Sequence, residues 1–120
     1  MNALDLVALF VAVEHVWFLV LEMFLWTKPI GRKTFRTTAE YAEQSASLAA
    51  NQGLYNGFLA AGLVWGTFHP DPLVGRQVQL FFLACVAAAG IMGALTVSRR
   101  IFFIQSLPAF IGLAIGFWRR

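Results

Sequence analysis

The chain has 120 residues, enough for one domain, of which 59% are hydrophobic and 12% charged. The charged share is about half that of an ordinary soluble protein. With twelve Phe and four Trp, the bulk exceeds what a small soluble core hides, and a soluble helical bundle is excluded because no segment carries a long polar face. The net charge of +3 is no nucleic-acid signature, since the basic residues sit at predicted helix ends, as topology anchors do. Cys85 is alone in an apolar run, which excludes a disulfide and a thiolate metal cluster. Composition therefore indicates an integral membrane protein whose first partner is the lipid bilayer. No nucleic acid, metal or cofactor is expected.

The first predicted segment runs from about residue 3 to residue 26. MNALDL, lacking a basic leader and a small-residue cleavage site, reads as the start of a retained helix. Fourteen Leu, Val and Phe residues between Leu4 and Leu25 favour insertion by roughly 4–8 kcal/mol in total. Glu14 and Glu22 oppose much of that gain, at roughly 2.5–3.5 kcal/mol for a central acid. Such a helix calls for polar neighbours. At 100° per residue His15 and Glu22 share a face with Val11, Phe18 and Trp26, and Glu14 lies at its edge. Asp5 lies elsewhere, near the membrane surface.

Lys28-Pro29 ends this segment, because proline disfavours helical geometry in the residue before it. The 28–43 stretch carries Lys28, Arg32, Lys33 and Arg36 and is expected as a loop. Thr37 followed by Glu40 fits a capping box for a helix over about 38–68. Inside that helix lies NQGLYNGFLAAG, residues 51–62. Lipid offers its amides no partners, so they point to protein or to a water-filled pocket. Leu48, Asn51, Gln52, Tyr55, Leu59 and Gly62 span about 100° of arc, with Asn56 just beyond. Gly53 and Gly57 face the other way, so two sides of this helix are expected to meet protein.

His69-Pro70-Asp71-Pro72 is a turn. A third helix follows over about 76–97, with Val86, Gly90, Gly93, Ala94 and Val97 as its close-packing stripe. A fourth covers about 101–118, where Gln105, Pro108, Ala109, Gly112 and Gly116 share a narrow face. Pro108 frees the carbonyl of Ile104 and predicts a kink beside Gln105. The expected fold is all-α: a four-transmembrane-helix bundle with up-down topology, one domain over residues 1–120. Counting Lys and Arg puts six on the 28–43 side and three, Arg76, Arg119 and Arg120, on the other. That bias predicts a multi-pass protein of the bacterial inner (plasma) membrane with loop 28–43 cytoplasmic and both termini outside.

Glu22, Asn51, Gln52, Tyr55 and Gln105 fall at similar depth on presumed inner faces, as does Thr96, with Glu14, His15 and Asn56 nearer the midplane. The inferred site is a polar pocket in the cytoplasmic half of the bundle, binding or transporting a small amphipathic or lipid-like molecule. Its candidate residues are Glu22, Asn51, Gln52, Tyr55, Asn56, Gln105 and His15. Two rival readings stand beside it. One is a membrane-embedded enzyme with Glu22 or His15 as acid/base. The other is a structural or accessory subunit whose polar residues only lock helices. The glycine pairs 53/57 and 112/116 permit a homo-oligomer. No nucleophile elbow or phosphate-cradling glycine loop is present.

The stretches EHVWFLVLEMFLW at 14–26, NQGLYNGFLAAGL at 51–63, GIMGALT at 90–96 and QSLPA at 105–109 resemble the small bacterial membrane proteins of the domain of unknown function 1304 family. They touch all four predicted helices. The resemblance implies a four-helix integral membrane protein and brings no catalytic assignment.

Overall fold

The computed structural model describes residues 1–118, and every described regular element is helical. The helices are α1 (Ala3–Met23), α2 (Pro29–Phe35), α3 (Ala39–Thr67), α4 (Pro72–Thr96) and α5 (Arg99–Trp118). Helices α1, α4 and α5 are each long and apolar enough to cross a membrane; α3 is long enough and not apolar enough. Three of the four expected membrane helices meet that measure, and α3 falls short of it because Glu40, Glu43 and its amides dilute its apolar residues. Arg119 and Arg120, counted above as anchors, lie outside the described residues.

Helix boundaries follow local chemistry. Asn2 and Asp5 cap α1 reciprocally: the Asp5 N–H donates to Asn2 Oδ1 at 2.9 Å, and the Asn2 N–H donates to Asp5 Oδ2 at 3.0 Å. The helix stops at Met23, three residues earlier than expected, and Trp26 belongs to the turn that follows. The expected 28–43 loop contains α2. Lys28 is extended (φ −84°, ψ 161°) as the residue before a proline should be, and Pro29 then opens the new helix, where its missing N–H costs nothing. Arg36 ends α2 in the left-handed region (φ 56°, ψ 46°), and its N–H and that of Thr37 both donate to the Arg32 carbonyl. Thr38, not Thr37, caps α3, accepting the Tyr41 N–H at 3.1 Å. Asp71 caps α4 by accepting the Leu73 and Val74 N–H groups, which moves that helix start from the expected residue 76 back to Pro72. The kink expected at Pro108 is realised as a π-helical turn over Phe102–Ser106, in which the Leu107 N–H reaches back to the Phe102 carbonyl.

The chain divides into two compact units. One joins Met1–Val13 with the chain from Leu59 onward; the other is Glu14–Phe58. The first holds the apolar core, in which Leu4, Ala8, Val11, Leu63, Leu83, Val86 and Ala109 are buried. Helices α4 and α5 approach closely there. Gly90 lies against Ser106, leaving no room for a side chain, and Ser106 Oγ donates to the Ala87 carbonyl at 2.8 Å. Val97, expected on the packing stripe of α4, is exposed. Phe10, Phe81, Phe103 and Ile111 point outward, a surface suited to lipid.

Candidate functional site

In the Glu14–Phe58 unit, the end of α1 packs against α3 through the residues facing Gly53. A Cβ built there would stand 2.7 Å from Met23 Cγ, 3.1 Å from Glu22 Cβ and 3.3 Å from the Leu19 carbonyl oxygen. Only glycine lets the two backbones approach this far. The closeness brings Asn56, one turn along α3, onto Glu22: the Asn56 side-chain amide donates to Glu22 Oε1, and both residues are buried. An acid removed from water requires such a donor. Toward the turn, Trp26 Nε1 donates to Ser45 Oγ at 3.0 Å, and Ser45 Oγ donates to the Tyr41 carbonyl at 2.6 Å. The Trp26 ring also meets Phe35 of α2, with centroids 4.9 Å apart.

The sequence candidates divide between these surroundings. Glu22 and Asn56 come together. His15 is fully buried on the same helix face, edge-on to Phe18 at 5.0 Å. It lies seven residues from Glu22, roughly 10 Å along the helix, so the two do not form a single acid–base pair. Glu14 is half-buried, and its Oε1 is enclosed without a hydrogen-bond partner. Asn51, Gln52 and Tyr55 are exposed along with Leu48. Over Leu48 to Tyr55 the face of α3 expected to turn inward therefore turns outward, while Leu59 and Gly62 of the same face pack inward. The packed face over residues 42–56 is Ala42, Ser45, Ala49, Gly53 and Asn56. Small side chains decide this, since they allow the backbones to approach where amides and Tyr do not. Gln105 belongs to the other unit, half-buried in the π turn, and Thr96 is exposed, its hydroxyl donating to the Met92 carbonyl at 2.7 Å.

A second polar cluster lies within the unit that contains both ends of the chain, and its centre was not singled out from the sequence. Gln79 is buried, and its Nε2 donates to Asp5 Oδ1 at 2.8 Å and to Thr67 Oγ1 at 3.1 Å. Gly66 and Gly75 let α3 and α4 approach beside it; a Cβ on Gly66 would stand 2.9 Å from the Gln79 nitrogen. Arg76 Nη2 donates to the Gly116 carbonyl near the end of α5, a favourable place for a cation. Asp5 in the first turn of α1, Thr67 at the last position of α3 and Gln79 in the second turn of α4 all lie near helix ends. That shared placement was the readable signal.

The family described as "Protein of unknown function (DUF1304)" matches residues 9–117. The chain is also similar to the uncharacterized protein YpaA of Lactococcus lactis subsp. lactis, 26% identical over 115 residues that cover 94% of this chain and 95% of YpaA. No solved structure matches.

Proposed function

The chain belongs to the DUF1304 family of proteins of unknown function, and we propose that it is an integral membrane protein that crosses the bilayer four times and binds the polar end of a small amphipathic molecule along α3, beside Glu22 and Asn56. Two sets of hydrogen bonds support the fourth crossing. Thr67, the last residue of α3, is bridged through Gln79 to Asp5 in the first turn of α1. Asn56 is bonded to Glu22, one residue from the end of α1. Helix α1 is uninterrupted and about 30 Å long, enough to cross the hydrocarbon core.

The observation that carries the binding role is the outward line of Asn51, Gln52 and Tyr55 next to a buried carboxylate–amide pair. None of the three contributes to the Asn56–Glu22 bond that joins α3 to α1, or to the Trp26–Ser45 bond that ties α3 to the turn after α1. Their donors and acceptors remain available at the level where an amphipathic molecule in the leaflet carries its head. Leu48 and Phe58, both exposed, supply apolar contact on the same helix.

Native mass spectra of gently purified wild type and of Asn51→Leu/Gln52→Leu test the role. A discrete added mass on the wild type that is absent from the variant is expected. Identical bare spectra would reject binding at this face. The structural reading has one observation in its favour, the close packing at Gly53 that seats the Glu22–Asn56 bond. It predicts that Glu22→Gln and Asn56→Ala change stability while leaving any bound mass in place.

A further inference from the structure

We infer that α2 and the turn at its end form a docking site for the phosphate head of an anionic phospholipid. This inference is independent of the role proposed for Glu22. Between Glu22 and Glu40 the chain has four basic residues, Lys28, Arg32, Lys33 and Arg36, and no acid. Arg32 and Lys33 lie in the last turn of α2, and Lys28 and Arg36 flank that helix as its two caps. Lys28, Lys33 and Arg36 are exposed.

Charge alone would also suit a topology anchor. Two further observations point to a ligand that accepts hydrogen bonds. Arg32 Nε and the Thr37 hydroxyl are both buried without a partner. Arg32 is in the last turn of α2 and Thr37 follows its Arg36 cap, and the Arg32 carbonyl already receives the Arg36 and Thr37 N–H groups. Enclosed donors of this kind are ordinarily satisfied, and a phosphate oxygen is the acceptor that a cationic surround selects.

The setting selects a lipid as the source of that phosphate. Five residues separate α2 from the membrane-length helix α1. Gly31 is clamped on the intervening turn, where a Cβ would stand 2.7 Å from the Leu25 carbonyl carbon and 3.0 Å from Trp26 Cα. The basic side chains are thus held at the end of a spanning helix, where clusters of four or more Lys/Arg attract anionic leaflets. Ile30 and Phe35 are exposed apolar residues on the same short helix, suited to acyl chains below a headgroup.

The test uses the full chain in neutral detergent, titrated with phosphatidylglycerol or phosphatidylcholine of matched acyl chains and read by native mass spectrometry. Wild type should bind phosphatidylglycerol more tightly. Arg32→Gln/Lys33→Gln should lose about fivefold in that affinity per charge removed with phosphatidylcholine binding unchanged. Arg99→Gln/Arg100→Gln, which removes the same charge elsewhere, should keep the preference. Thr37→Val, which removes no charge, should weaken phosphatidylglycerol a few-fold. If Arg32→Gln/Lys33→Gln loses helix content, Lys33→Gln alone at its exposed position carries the test. Equal affinity of wild type for the two lipids, or an equal loss in the Arg99/Arg100 variant, would overturn the site. Displacement of the lipid by inorganic phosphate, at ionic strength matched with chloride, would overturn the lipid as its source.

Discussion

The bond between Asn56 and Glu22 can be weighed by a double-mutant cycle. Asn56→Ala leaves a buried carboxyl oxygen without its donor, and Glu22→Ala leaves the Asn56 amide without its acceptor. Each single change should destabilise by about 1–3 kcal/mol, the range for a buried group left unpaired. The double variant removes both needs at once, so it should lose less than the sum of the singles. The deficit is the coupling of the pair. For hydrogen bonds between membrane helices it averages about 0.6 kcal/mol and reaches about 1.7. A bond closed over glycine, with both partners buried, belongs in the upper part of that range. Unfolding of the three variants and the wild type, followed by helix content as sodium dodecyl sulfate is raised in mixed micelles, measures the cycle. Losses that add to within about 0.5 kcal/mol, the margin for independent sites, would refute the claim that this bond joins α1 to α3.

Three other outcomes are expected from the same unfolding assay. Gly90→Ala puts a Cβ 2.7 Å from the Ser106 backbone nitrogen, which cannot yield as a side chain can; a loss of about 1–3 kcal/mol follows, and wild-type stability would mean that α4 and α5 are not so closely packed. Asp5→Ala removes both the reciprocal cap with Asn2 and the acceptor for Gln79, for a loss of about 1–3 kcal/mol, whereas Asn2→Ala, which spares Gln79, should cost less. Trp26→Phe keeps an aromatic ring against Phe35 and loses the bond to Ser45, for a drop of about 0.5–1.5 kcal/mol; no change would show that the indole N–H finds an equal partner in water or lipid.

The inward face of α1 was legible because its polar and apolar signals coincide: Val11, His15 and Glu22 recur at helical spacing, and all three are buried. The turns at Lys28-Pro29 and His69-Pro70 were legible from proline chemistry, as was a distortion ahead of Pro108. Helix α2 was not, because the proline that stops one helix is also a favoured first residue of the next. Its seven residues give too short a period to detect. The face of α3 was misread for a different reason. Amides in an apolar segment suggest an inward direction, yet Ala49 and Gly53 win the packed side by being small, and Asn51, Gln52 and Tyr55 follow outward. Only Asn56 satisfies both demands, lying on the small-residue side with a side chain long enough to reach Glu22.

That compromise bears on how α3 is held. Its 29 residues measure about 43 Å, more than a hydrocarbon core of about 30 Å requires. Its more apolar part, Leu54 to Thr67, covers only about 21 Å of that length. A helix of this composition gains too little by transfer to lipid to stay there unaided, whereas α1, α4 and α5 each pass on length and hydropathy. What α3 lacks in transfer free energy it recovers in contacts that apolar side chains would prevent. Ala49 and Gly53 lie on its buried side, and Gly66 stands against Gly75 and Gln79. Asn56 and Thr67 then bond to Glu22 and Gln79. The polar residues of α1 and α4 cost least where α3 supplies their partners. The same residues that lower the hydropathy of α3 are thus those that bond it to its neighbours.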